Sequence, residues 1–223
     1  IFDEFHERSL ASDTALALTR EVQQLVRPDL RIVIMSATID ASAICQALGA
    51  PLVESRGRMF DVEIRHCEET DARGCAEAVA SMIRRAHHEQ RGDILAFLPG
   101  QAEIIRCEEM LKGAFTTEWN DNVGANHPIT TSIYPLYGNL PQEQQRAAIA
   151  PSRKGERKIV LATPIAETSL TIDGVRVVVD SGLCRQLVYE ASTDLSHLET
   201  VTISQDMATQ RMGRAGRLAE GTC

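Results

Sequence analysis

The sequence predicts an α/β fold: parallel strands in one layer with helices on both faces. Two observations predict it. Short runs nearly continuous in Ile, Val and Leu recur at 31–35, 93–98, 129–136, 158–162 and 175–180, as strands buried on both faces require. Between them lie helix-patterned segments at 12–26, 40–48, 71–89, 101–112 and 141–149. Strands that alternate with helices must cross over, and crossovers give parallel pairing.

The elements follow in order. The strand at 31–35 runs into Ser36-Ala37-Thr38, and Asp40 caps the next helix, which stops at Gly49. Residues 54–60 are polar and contain glycine, so they read as a linker between a first unit, 1–53, and a second, 61–223. Asp71 caps the long helix of the second unit, and Gly113 ends the one after it. Residues 116–128 form a polar loop. After the strand at 158–162, Thr163 is placed as an N-cap and Pro164 as the first helical residue. Residues 187–203 alternate in β fashion around a turn near 192–196, which predicts a projecting hairpin. If residues 210–217 are helical, Gln210, Arg214 and Arg217 share one face. Gly213 and Gly216 each cost about 1 kcal/mol in a helix relative to Ala, so their backbone must approach something closely.

Composition narrows the function classes. The chain has 223 residues, 43% apolar and 24% charged, an ordinary globular balance. Its formal net charge is −8, which argues against coating nucleic acid by bulk charge but leaves room for a local basic channel. No apolar run reaches the roughly 18–20 residues of a membrane-spanning helix. The six cysteines form no CxxC pair and no metal spacing, so reduced thiols of a cytoplasmic protein are expected. His87-His88 is expected on a solvated helix surface. The chain opens at Ile1 inside what reads as a motif, and is expected to be part of something longer.

Four segments carry chemistry. Asp3-Glu4-Phe5-His6 follows the apolar Ile1-Phe2; a carboxylate at a strand end can hold Mg²⁺, and its neighbour can activate water. Ser36-Ala37-Thr38 offers hydroxyls after a buried strand. The stretch Thr163 to Gly174 is dense in hydroxyls, with Ser169, Thr171 and Asp173 alternating, and a helix start at a strand's carboxyl end presents N–H groups to phosphate. Gln210-Arg211-Met212-Gly213-Arg214-Ala215-Gly216-Arg217 brings guanidinium forks suited to phosphate.

Taken in this order with Phe97-Leu98-Pro99-Gly100, the segments resemble the DEAH/DExH-box helicases of superfamily 2, in particular the bacterial HrpB-type branch. The resemblance implies two RecA-like domains: the end of the first over 1–53, and most of the second over 61–223. It implies an ATP-dependent helicase acting on RNA, with DNA translocation or a non-catalytic binding module as alternatives. Asp3 and Glu4 would hold Mg²⁺, and Glu4 would activate the attacking water. His6 would couple the nucleotide site to Ser36, Thr38 and Gln210. Ser169, Thr171, Asp173 and Gly213 would meet ATP. Arg214 and Arg217 would be arginine fingers, and Gln210 would place the water. Gly100 and Thr163 would face the nucleic-acid backbone, and the hairpin resembles a strand separator. Three departures stand out. No G-x-x-x-x-G-K-[ST] loop occurs in the 223 residues, so the chain alone is expected to turn over little ATP. Pro164 replaces a common Asn. Ala148-Ile149 falls where relatives often carry an adenine-stacking aromatic.

Overall fold

A computed structural model describes residues 1–36, 41–54, 60–67, 73–115, 118–119, 128–166 and 172–223. The chain divides into two compact units, Ile1–Arg56 and Gly57–Cys223.

In the first unit, Phe2 and Ile34 form a parallel bridge, with Phe2 N–H donating to Val33 O and Met35 N–H to Phe2 O, both at 2.8 Å. The strand expected at 31–35 is reduced to this bridge. A 3₁₀ turn, Phe5–Glu7, follows Glu4. Ser9 caps α1 (Leu10–Leu25) by accepting from Ser12 N–H at 3.0 Å. Helix α2 covers Ala41–Leu48 and ends at Gly49, whose φ of 61° suits glycine.

Among the described residues, the second unit builds a seven-stranded sheet from β1 (Val62–Glu63), β2 (Asp93–Phe97), β3 (Glu118–Trp119), β4 (Pro128–Leu136), β5 (Glu156–Ala162), β6 (Val175–Asp180) and β9 (Gly221–Thr222). The spatial order is β1-β9-β6-β2-β5-β4-β3. Every pairing is parallel except β3 with β4. Strands β7 (Leu183–Glu190) and β8 (Leu195–Thr202) form a separate antiparallel hairpin. The α/β parallel sheet and the projecting hairpin are thus both present. β2 is buried at all five positions, as its unbroken apolar run requires.

Two cores lie on opposite faces of the sheet. One packs α3 (Cys75–Glu89) and α4 (Gln101–Leu111) through Ala80, Ile83, Ile104 and Leu111 onto Ile94, Ala96, Ile159 and Leu161. The other packs Ala148 of α5 (Gln142–Ile149), Ala166 and Ala215 onto Leu95, Phe97, Val160 and Ala162. Successive β5 side chains therefore serve opposite layers. Arg157 reaches the C-terminal end of α3 and donates to the carbonyls of His87, Gln90 and Gly92 at 2.7–2.8 Å. Lys158 faces the other way, donates to the carbonyls of Ala147, Ala148 and Ala150 at the end of α5, and lies 4.9 Å from the Tyr134 ring. Each cation satisfies helix-terminal carbonyls that lack intrahelical partners.

Two further expectations change. Helix α3 starts at Cys75 after Gly74, later than placed; Asp71, like Asp40, lies outside the described residues. His87 is not solvated. It is 4% exposed, its Nε2 is 2.8 Å from Thr131 Oγ1, and its ring packs on Phe115; His88 is the exposed member of the pair. The polar loop at 116–128 lies mostly outside the described residues, apart from Glu118, Trp119 and Pro128. None of the six cysteines forms a disulfide, and no helix among the described residues is long and apolar enough to cross a membrane.

Candidate nucleotide and nucleic-acid site

The acidic cluster sits on the first unit. Asp3 is exposed, and its Oδ1 accepts from Glu4 N–H at 2.8 Å. Glu4 adopts φ 49° and ψ 39°, an uncommon conformation for a residue with a Cβ. That turn swings the chain into the 3₁₀ segment, where His6 Nε2 comes to 3.5 Å from Glu4 Oε2. Phe5 N–H donates to Met35 O at 3.0 Å, so the turn carrying His6 lies beside the backbone just before Ser36. Ser36 is exposed. Thr38 lies outside the described residues. The turn is held by Arg8, which pairs with Asp13 through two hydrogen bonds at 3.2 and 2.9 Å and lies 5.5 Å from the Phe5 ring.

In the second unit Gly100 and Thr163 lie along the carboxyl edge of the sheet, whereas Asp173 precedes β6 at the opposite, amino edge. Gly100 follows β2 and caps α4, and Thr163 follows β5, the strand paired with β2. Leu98 N–H donates to Ala162 O at 2.8 Å, and Thr163 N–H to Leu136 O at 3.1 Å, so neighbouring strand ends are tied together. Pro164–Ala166 form a 3₁₀ turn after Thr163, in keeping with its place as a helix start. Gly100 is buried. A Cβ there would lie 2.7 Å from Arg185 Cζ and 2.8 Å from Glu103 Oε2. Asp173 is exposed just before β6. Ser169 and Thr171 lie outside the described residues.

The basic segment differs from the expected continuous helix. Helix α6 spans Gln205–Met212, capped by Ser204 Oγ on Met207 N–H at 3.2 Å, and Gly213 is its C-cap. Residues 213–216 continue as tight turns, with Arg214 N–H donating to Arg211 O and Ala215 N–H to Met212 O, both at 3.0 Å. Gln210 is half-buried at the last turn, Gly213 is buried, Arg214 is 6% exposed, and Arg217 is exposed. The single helical face for Gln210, Arg214 and Arg217 is therefore not formed. The close approach expected of the glycines is real at Gly216, where a Cβ would stand 2.6 Å from Phe60 O, and Phe60 N–H donates to Gly216 O at 2.9 Å.

Arg211, which sequence reasoning passed over, anchors the segment. It is wholly buried; Nη1 donates to Asp180 Oδ1 at 2.7 Å and to Leu183 O at 3.3 Å, and the guanidinium lies 4.8 Å from the Phe97 ring. Asp180 closes β6. This pair therefore fixes the end of α6 to the carboxyl edge that also carries Gly100 and Thr163. The signal available was Asp180-Ser181-Gly182, a charged turn straight after an apolar strand. A cavity of about 460 Å³, lined by Met82, Ala86, Val179, Ile203, Met212 and Cys223 among others, contains none of the expected site residues.

Comparison with known proteins places this arrangement. Residues 75–219 match the helicase conserved C-terminal domain family. The chain belongs to this helicase family. It is 45% identical over 222 residues to the ATP-dependent RNA helicase HrpB of Escherichia coli (strain K12), covering 99% of the chain and 26% of that protein. It is 40% identical over 223 residues to the probable ATP-dependent RNA helicase DHR2 of Saccharomyces cerevisiae, covering 99% of the chain and 30% of that protein. The crystal structure of the Escherichia coli DEAH/RHA helicase HrpB superposes with a TM-score of 0.86 at 44% identity, over 98% of this chain and 27% of that one. A crystal structure of the E. coli DExH-box NTPase HrpB gives 0.85 at 43%, over 100% and 27%. The chain spans about a quarter to a third of the length of these relatives.

Proposed function

We propose that this chain is part of an ATP-dependent RNA helicase: the end of one RecA-like domain over 1–53 and most of a second over 61–223, with 54–60 as the linker. The observation that carries this reading is the carboxyl edge of the second sheet, where Gly100, Thr163 and the Asp180–Arg211 anchor of the arginine segment share one rim. That rim is where open α/β sheets bind ligands. In this reading Glu4 orients and deprotonates the attacking water, Gln210 helps place it, and His6 couples that centre to Ser36 and Thr38. Arg214 and Arg217 stabilise charge on the transferring phosphoryl group. Ser169, Thr171, Asp173 and the Gly213 backbone hold ATP. Gly100 and Thr163 bind the RNA backbone, which makes recognition independent of sequence, and the β7–β8 hairpin separates strands. The setting is the cytoplasm.

The donors fit Mg²⁺. Asp3 and Glu4 would hold it; Asp3 is exposed and uses one oxygen on its own turn, so only two protein carboxylates would be offered. That suits an ion that keeps water and substrate phosphates as most of its ligands. Bound there, it would neutralise phosphate charge.

The test is ATP hydrolysis in the complete protein. Glu4→Gln is expected to keep ATP binding and lose turnover. Arg214→Ala is expected to cut the rate about 10³-fold or more with circular dichroism unchanged. Near-normal hydrolysis by either variant overturns the assignment. RNA and DNA single strands compared as ATPase activators separate an RNA helicase from a DNA translocase. Absence of ATP binding would favour a non-catalytic module.

A further inference from the structure

We propose that Arg185 and Glu103 form an exchangeable latch over Gly100, closed without RNA and opened when a backbone phosphate takes the carboxylate's place. The proposal rests on the reading of Gly100 as a backbone contact. The two side chains come from separate elements: Arg185 from the base of the β7–β8 hairpin, Glu103 from the first turn of α4. Both lie over Gly100: a Cβ there would stand 2.7 Å from Arg185 Cζ and 2.8 Å from Glu103 Oε2, so one of the two side chains would have to shift. The glycine is thus a floor covered by an ion pair.

That pair is poorly made. Arg185 Nη2 reaches Glu103 Oε1 at 3.3 Å, long for a charge-assisted hydrogen bond and single where a guanidinium can give two. Glu103 Oε2 is buried without a hydrogen-bond partner, and an unmet carboxylate oxygen weakens the closed state. Arg185 itself is 39% exposed, so solvent screens its attraction. The buried Arg211 and Lys158 and the half-buried Arg157 are committed to close partners. Arg211 pairs with Asp180 at 2.7 Å with no exposure, while Arg157 and Lys158 each satisfy three carbonyls. Arg185, by contrast, can leave its partner cheaply, and phosphate offers it the two-pronged contact that Glu103 does not. Because Arg185 belongs to the hairpin, opening the latch also frees the hairpin base from α4. Occupancy of the backbone site is thereby transmitted to the element that meets the duplex.

The test measures binding of a fluorescein-labelled oligouridine to the full chain across a salt series. Arg185→Ala is expected to weaken binding and to reduce the slope of log K against log salt by about 0.7, one phosphate contact on a single strand. Glu103→Gln is expected to tighten binding about two- to five-fold, the range of an exposed ion pair removed. In the double variant that gain should vanish, because it is realised through Arg185. A gain that persists without Arg185 means Glu103 acts only as a nearby negative charge, and the latch is overturned while the nucleic-acid reading stands. If the wild-type chain binds the oligonucleotide with no salt dependence, the reading of the Gly100 rim fails, and the latch with it. Thermal melts accompany each variant; an Arg185→Ala chain that melts as wild type yet binds unchanged also overturns the proposal.

Discussion

Two arginines of the second unit meet carboxylates in opposite ways. Arg211 is sealed between Asp180, Leu183 and Phe97, so its removal costs the half-buried Asp180 its cation and leaves a gap against Phe97; Arg211→Ala is expected to destabilise the unit by about 2–4 kcal/mol in urea unfolding. Arg185→Ala, at a half-exposed pair, is expected to shift stability by about 1 kcal/mol or less. Sequence alone did not separate these two roles. The guanidinium next to Gln210 carried no role of its own in the sequence, which does not show whether it points at phosphate or into the fold. The place of Asp3 and Glu4 straight after the apolar Ile1-Phe2 was legible, and Phe2 bridges to Ile34 there. The left-handed turn at Glu4 was not, because it depends on the backbone hydrogen bonds to 33–35. The cysteines give a second check at this scale. Cys67 is exposed, whereas burial pushes the Cys107 thiol up to about 12. Iodoacetamide at pH 8 is expected to modify Cys67 within minutes and Cys107 only after unfolding, since the thiolate is the reactive form; mass spectrometry of the peptides reads the order.

Among the elements, the strands were the easiest to read. Residues 175–180 match β6 at both ends, and β2, β4 and β5 differ from expectation by at most two residues. Their apolar runs are long because both faces are covered. The short pair β1 and β9, two residues each, carries no such pattern; only the sheet edge makes strands of them. Helix α6 was over-extended for a related reason. The i, i+4, i+7 spacing looked continuous, but Gly213 ends the helix and Gly216 is shaped by contact with Phe60 rather than by helical propensity. Gly216→Ala would put a methyl 2.6 Å from a backbone oxygen, and a loss of about 1–3 kcal/mol is expected in thermal or urea unfolding. A wild-type melting point would show that the Phe60 segment yields freely. Residues 157 and 158 show what β alternation can do within one strand: adjacent cations, one to each layer, each closing the end of a different helix.

For the whole molecule, the formal net charge is −8. Stability should turn down in alkali. Burial raises the Cys107 and Cys223 thiols to about 12 and also raises Cys75, against an ordinary value near 9. Below pH 9 folded and unfolded chains hold these protons alike. Between about 9 and 12 only the unfolded chain releases them, so stability falls as pH rises through that window. Lys158, lowered by burial against the opposing pull of Asp93 and Glu156, works the other way below 10.5. The urea midpoint is therefore expected to drop from pH 8.5 to 10.5, and Cys107→Ala to flatten the decline; equal slopes in the two proteins would refute the thiol account. The hydrogen bond from Phe60 to Gly216 O has one more consequence. Gly216 lies between Arg214 and Arg217, and Phe60 is where the chain enters the second unit's sheet. Tension applied along the backbone at Phe60 therefore pulls on Gly216, one peptide from Arg217 and two from Arg214, so the entry of the chain into this unit is mechanically tied to the arginine segment.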